Sequence, residues 1–325
     1  MNNLFIGIMS GTSRDSLDAC LIDFTNHFKI LASETLDFNS NYKTWTDISL
    51  INDEITNKSI EIVKNLIEKS SVKRSDIVGI GFSGQTISHN DNHSVQAGDP
   101  KKIAQSTRIN VFSDFRNKNI AEGGRGAPLI PDFHQYIFSE TGKRKLIINI
   151  GGISNGTYLN GKKIIAASDI GPGNCLLDLV MLNLQLGDFD KDGELASNGA
   201  VNQPIKEELM SVFSNMPYPR ADDITAYTNP FIDRFEDYKK IPVNEILRTL
   251  VEVTAEKIKE FYEYCEYPNE IIFHGGGTQN KTLMNCIAQK TTNNYQTTDY
   301  LIPSKYMESS AFAYLAYANK GILFK

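Results

Sequence analysis

A strand-turn-strand pattern occurs twice in this chain, and it constrains the fold more than any other feature. Residues 4–9 (LFIGIM) form an apolar run that breaks at Ser10-Gly11-Thr12-Ser13, and residues 19–24 (ACLIDF) resume it. Residues 145–150 (KLIINI) break at Gly151-Gly152-Ile153-Ser154, and residues 157–159 return. Short apolar runs bounded by Gly and Ser read as strand, tight turn, strand. Each copy is followed by further strands and helices, so the pattern predicts a duplicated α/β unit with a cleft between the halves. A length of 325 residues accommodates two domains at about 150 residues each. We place the first at 1–140 plus 306–325 and the second at 141–305.

The remaining elements follow from periodicity. Strands are expected at 28–36, 77–82, 109–112, 163–167 and 270–274. Helices are expected at 55–67, 100–107, 175–186, 243–264, 278–290 and 307–319, with another ending at Phe138. Residues 114–126 read as a loop mixing cations and glycine. Residues 217–240, rich in Pro, Asp and Tyr, read as an irregular lid or insertion.

Composition excludes several functions. Lys plus Arg is 33 and Asp plus Glu is 39, a formal net charge of −6, so the basic footprint of a dedicated nucleic-acid binder is missing. The longest apolar run, residues 311–318, falls well short of the roughly 20 residues a membrane helix needs. Arg14, Asp15 and Asp18 lie where a signal peptide would be apolar, which argues against secretion. The four cysteines form no C-x-x-C pair, and the five histidines are scattered. Zinc-type spacing is therefore lacking, and the thiols read as buried groups in a reducing cytoplasm.

Four glycine turns follow apolar strands: residues 10–13, 151–154, 171–174 and 275–277. Glycine lets the backbone approach a phosphate and aim its N–H groups at the oxygens. None of the four fits a P-loop or a dinucleotide-binding fingerprint. One such turn alone need only reverse the chain, but four, two of them duplicated, point to phosphate. Gly151, Gly152, Gly171, Gly173 and Asn174 are the candidates in the second half.

Carboxylates sit beside these turns. Phosphoryl transfer needs them to hold Mg²⁺, usually through water, and to orient or deprotonate the nucleophile. Asp15 and Asp18 are the metal candidates. Asp169, at a strand end beside Gly171-Pro172-Gly173, is the base candidate, with an Asx-type turn cap as the plain alternative. Asp178 is either a further candidate or a solvated helix residue. Arg116 could clamp an anion bidentately or form a surface ion pair. Ser83, Gln85 and Thr86 offer hydroxyl and amide groups suited to a sugar, or else make only a turn. His274, before three glycines, reads as structural.

These residues carry a resemblance. Residues 9–18 (MSGTSRDSLD), 84–89 (GQTISH), 114–134 (DFRNKNIAEGGRGAPLIPDFH), 149–155 (NIGGISN), 169–178 (DIGPGNCLLD), 275–280 (GGGTQN) and 308–316 (ESSAFAYLA) occur in the order of the anhydro-N-acetylmuramic acid kinase family, within the sugar kinase and actin superfamily. The resemblance implies an α/β, duplicated actin-like (ribonuclease H-like) two-domain fold with an interdomain cleft. It implies an ATP- and Mg²⁺-dependent kinase that opens 1,6-anhydro-N-acetylmuramic acid with water and phosphorylates O6, in peptidoglycan recycling. The partner would be an amino sugar, with neither nucleic acid nor membrane involved, and a homodimer is compatible.

By the same resemblance Asp169 is the general base, and Gly11, Thr12, Ser13, Arg14, Asp15, Ser16, Leu17 and Asp18 bind the ATP phosphates. Gly275, Gly276, Gly277 and Asn280 lie on the adenosine side, and Glu308 borders the sugar pocket. The chain departs from the family at Ser16 (usually Gly), Ser83 (His), Asn119 (Asp) and Arg125 (Gln). Residues 217–235 replace a Lys-Ser-Thr-Gly-Arg-Glu segment. A kinase of another sugar or polyol, and a nucleotide- or sugar-binding homologue without catalysis, are the alternatives.

Overall fold

A computed structural model describes residues 3–11, 14–39, 41–90, 92–214, 216–292 and 294–325. Its internal contacts divide the chain into two units, Met1–Phe133 with Lys305–Lys325, and His134–Ser304. The expected boundaries were 140/141 and 305/306; the division falls at 133/134 and 304/305.

The first unit begins with an antiparallel meander, β1 (Leu4–Ser10), β2 (Ser16–Asp23) and β3 (Lys29–Asp37). Helix α1 (Ile48–Ser70) follows, capped by Asp47, whose carboxylate accepts the N–H groups of Ser49 and Leu50. This helix is longer than the expected 55–67 because its N-terminal turns are exposed and carry little apolar period. Then come β4 (Ile77–Phe82), the hairpin β5 (Gln85–Asn90) and β6 (His93–Ala97), α2 (Pro100–Thr107), β7 (Val111–Ser113), α3 (Phe115–Ala121) and α4 (Pro131–Phe138). Two expectations are corrected here. Gln85 and Thr86 open a strand, residues 85–90, rather than completing a turn, and it pairs antiparallel with residues 93–97 with a register shift between Thr86 and Ser88. Residues 115–121 form a helix rather than a loop, because Phe115 buries itself against Phe312 and Leu315.

The second unit repeats the meander as β8 (Arg144–Ile150), β9 (Ile153–Asn160) and β10 (Lys163–Pro172). Seven helices and two strands follow: α5 (Cys175–Asn183), α6 (Glu194–Ser197), α7 (Gln203–Phe213), α8 (Thr225–Ile232), α9 (Phe235–Tyr238), α10 (Val243–Tyr264), β11 (Glu270–His274), α11 (Lys281–Lys290) and β12 (Tyr295–Thr297). The segment read as an irregular lid is packed. Tyr227 and Phe231 are fully buried, and Tyr218 lies 5.0 Å from the Phe261 ring.

The chain then returns to the first unit as α12 (Met307–Tyr317) and β13 (Ile322–Phe324), which pairs antiparallel with β7. The two sheets run β13-β7-β4-β1-β2-β3 and β10-β9-β8-β11-β12. In each, an antiparallel meander is extended from its first strand by two parallel strands, and in the first sheet β13 then adds antiparallel to β7. The same order built twice is the duplicated, ribonuclease H-like α/β fold of the actin type.

Alternation along β2 shows how the first sheet is covered. Leu17, Ala19 and Leu21 join the core that contains Ile55 and Ile62 of α1. Cys20, on the other face, meets Ser309 of α12, Sγ to Oγ 3.2 Å. Gly7 and Gly81 permit α12 to approach: a Cβ on Gly7 would stand 1.8 Å from the Ser309 carbonyl oxygen, and one on Gly81 2.0 Å from that of Phe312.

Candidate active site

Three glycine turns gather at one end of the second sheet. β8 and β11 are parallel, and β10 runs the same way through its antiparallel partner β9. Their carboxyl ends therefore lie together, where ligands bind in open α/β sheets. The Gly173, Asn174 and Cys175 N–H groups donate to the carbonyls of Gly152, Gly151 and Gly152 at 2.9, 2.8 and 3.1 Å. A Cβ on Gly173 would stand 2.2 Å from the Gly151 carbonyl oxygen.

In the third turn the glycines differ in role. Gly275 has φ +89° and room for no Cβ beside Asn149, and a Cβ on Gly277 would strike Ile150 Cγ2 at 2.2 Å. Gly276 faces open space. The first and last shape the turn, and the middle one leaves its outer face bare. Asn280, at 2.9 Å from the Leu283 N–H, caps α11. His274 is buried with its ring 5.1 Å from that of His134, and burial lowers its pKa to about 3, so it is neutral and structural.

Asp169 lies inside β10, because the strand runs on through Pro172 instead of ending at residue 167. The correction has a local cause. The β9–β10 register shifts between Asp169 and Gly171, so Ile170 has no partner across the ladder. Such bulges bend a strand and re-aim its side chains. Residues 216–222 cover the outer edge of β10. The Asp169 N–H donates to the Arg220 carbonyl at 2.9 Å, and the Asp222 N–H donates to Asp169 Oδ2 at 2.8 Å. Arg220 Nε donates to Asp222 Oδ2 at 2.6 Å, and Tyr227 donates its hydroxyl to the same oxygen.

Burial first, then the Asp222 charge, raises the Asp169 pKa to about 6; the Asp222 N–H and Arg220 pull it down. Sequence reasoning missed Arg220, Asp222 and Tyr227. Arg220-x-Asp222 beside two tyrosines was the available signal, but no periodicity tied it to β10. Gly171 packs on the buried Lys257 stem, and Asp178 lies in the first turn of α5.

The other candidates lie in the first unit. Thr12 and Ser13 fall outside the described residues. Gly11 accepts Gln85 Nε2 at 3.2 Å, Ser10 Oγ donates to Gln85 Oε1 at 2.6 Å, and the Ser10 N–H reaches Ser83 Oγ at 3.3 Å. Gln85 is buried, so it braces the first turn. Thr86 is partly exposed on β5. Arg14, at φ +53°, donates to the Trp45 carbonyl at 2.9 Å. Asp15, half exposed, pairs with Lys43. Ser16 opens β2, and the Leu17 side chain is fully buried in the core.

Asp18 accepts the Thr35 hydroxyl at 2.6 Å and lies 3.8 Å from Lys305 Nζ. Its pKa is raised, mainly by burial. Glu308, at the start of α12, is also raised by burial and by the Asp18 charge, against the pull of Arg116. Arg116 Nη1 donates to the Gly126 carbonyl at 3.1 Å. Thus Glu308 feels both Asp18 and Arg116, and Ser10, Gly11, Ser83 and Gln85 form a second cluster.

The sequence matches the family Anhydro-N-acetylmuramic acid kinase over residues 3–321. The chain belongs to the anhydro-N-acetylmuramic acid kinase family. Among curated members, the kinase of Shewanella sp. (strain ANA-3) is 35% identical over 334 residues, covering 96% of this chain and 90% of that protein. The kinase of Shewanella baltica (strain OS185) is 34% identical, covering 98% and 92%.

As a member of this family the chain is an enzyme, a phosphotransferase. Among solved structures, the activator of 2-hydroxyisocaproyl-CoA dehydratase from Clostridium difficile matches at TM-score 0.54 and 13% identity, covering 98% of this chain and 95% of that one. Component A of (R)-2-hydroxyglutaryl-CoA dehydratase from Acidaminococcus fermentans matches at TM-score 0.54 and 11% identity, covering 98% of each. At that identity the likeness is one of fold. No helix among the described residues is long and apolar enough to cross a membrane.

Proposed function

We propose that this anhydro-N-acetylmuramic acid kinase works with ATP and Mg²⁺ and that Asp169 is its general base. The turns at Gly151, Gly173 and Gly275–Gly277 suit a nucleotide: their backbones approach closely and Gly276 leaves space at the surface. Among the described residues no three His, Cys, Asp or Glu side chains gather to hold a metal by protein groups alone. Mg²⁺ needs no such cluster, because it keeps several waters and takes one or two carboxylates with substrate phosphates. Asp15 and Asp18 are the proposed contacts, through water. When bound, Mg²⁺ neutralises charge on the phosphates.

Asp169, ionised, takes a proton from the water that attacks the anomeric carbon. The bond from that carbon to O6 breaks, and O6 takes the γ-phosphoryl group, leaving ADP. Ser83, Gln85, Thr86, Arg116 and Glu308 are proposed for the sugar side. The observation that carries the reading is a carboxylate at a strand bulge beside the glycine turns, with its acidity shifted to about 6. A base so placed is half ionised near that pH and able to cycle. Incubation with ATP, Mg²⁺ and the anhydro sugar is expected to yield N-acetylmuramate 6-phosphate. Asp169→Asn is expected to lower turnover by about 10²-fold or more, the scale for losing a general base, with ATP binding by calorimetry little changed. Near-full turnover in this variant overturns the assignment.

A further inference from the structure

One polar cluster plays no part in the steps above, although it presses directly on Asp169. We infer that Arg220, Asp222 and Tyr227 form a clasp that positions the Asp169 carboxylate, with Oδ2 held against the Asp222 N–H. The inference rests on Asp169 being the base.

Three observations support it. The bulge at Ile170 leaves that residue without a ladder partner, and its carbonyl accepts the Arg220 guanidinium and, at 3.3 Å, the Tyr218 hydroxyl. Arg220 also crosses back onto the strand through its backbone: its N–H donates to Ser168 Oγ at 2.9 Å while its carbonyl takes the Asp169 N–H. Finally, the Asp222 side chain is occupied by Arg220 and Tyr227, so it is the backbone N–H of Asp222 that meets Asp169.

Arg220 reaches the Met216 carbonyl, the Ile170 carbonyl and Asp222 with separate nitrogens. Only a planar fork of several donors satisfies three acceptors at once. Its guanidinium also lies 4.6 Å over the Tyr218 ring. Arg220 and Asp222 side chains are 9% and 7% exposed, and a buried ion pair of this kind is a poor source of stability. Positioning accounts for it better. The charged groups acting on Asp169 are Asp222, which raises its pKa, and Arg220, which lowers it. Behind them stand the phenols of Tyr218 and Tyr227.

The test uses the full chain and reads more than activity. Asp222→Asn keeps the backbone N–H and removes the like charge. The Asp169 carboxyl titration, followed by NMR of aspartate-labelled protein and assigned with Asp169→Asn, is expected to move to lower pH. The acid limb of the kcat profile should move the same way. Arg220→Ala is expected to lower kcat about tenfold or more, the scale of a misplaced group, with both KM values within about twofold. Arg220→Lys should recover little of it. Should Arg220→Ala not fold, Tyr227→Phe with Asp222→Asn decides by the same titration. An inactive Asp169→Asn alongside unmoved titrations and wild-type kcat in the clasp variants overturns the clasp alone. An active Asp169→Asn overturns the base assignment and the clasp with it.

Discussion

Asp169 joins stability to chemistry. Its pKa is raised from 3.8 to about 6, chiefly by burial. The folded state therefore holds the proton more tightly than the unfolded chain, and this group's contribution to stability is lost as pH rises from about 4 to about 6. At neutral pH the enzyme carries a desolvated carboxylate at a cost. Asp169→Asn is thus expected to raise Tm at pH 7.5 while lowering turnover as above, and the gain should vanish below about pH 4. Calorimetric scans at both pH values check this. A Tm for the variant below wild type at pH 7.5 would mean that the carboxylate is a net structural asset. The same ionisation sets the working range: kcat is expected to fall as pH drops through about 6, because the base is then protonated.

At the scale of elements, glycines with the same look in sequence have different duties. Gly276→Val is expected to weaken ATP binding without moving Tm, since a side chain there meets nothing in the protein. Gly277→Val is expected to destabilise, since its Cβ would stand 2.2 Å from Ile150 Cγ2. Overpacking of this kind costs typically about 1–3 kcal/mol. Parallel calorimetry and thermal melts separate the two outcomes.

The sequence made most of these elements legible. The bounds of α2, α10 and β11 follow directly from apolar period, Pro100 and flanking glycine. The meander repeated at residues 4 and 145 disclosed the duplication. Elements held by distant partners were not legible: α3 depends on Phe312 and Leu315, and β13 on β7. The reach of β10 through Asp169 was hidden for the same reason. Its outer edge is covered by residues 216–222, some fifty positions on, and no local pattern announces that pairing.

At the scale of the molecule, each unit has its own core, but only the second is continuous in sequence. Residues 134–304 expressed alone are expected to melt cooperatively. A chain ending at Ser304 should keep that transition and lose the other, because α12 no longer covers β1 and β4. Cys20, buried against Ser309 with its pKa raised by burial to about 11, should then react with thiol reagents. An unreactive Cys20 in the shortened chain would show that the sheet stays covered without α12. The split also sets a timetable for synthesis. At roughly 5–20 residues per second, the first unit waits on the order of ten to thirty seconds, its Gly7 and Gly81 strip bare, until residues 305–325 leave the ribosome. The half made first is the half finished last, so a chain that terminates early cannot complete it and offers a chaperone or protease an uncovered sheet.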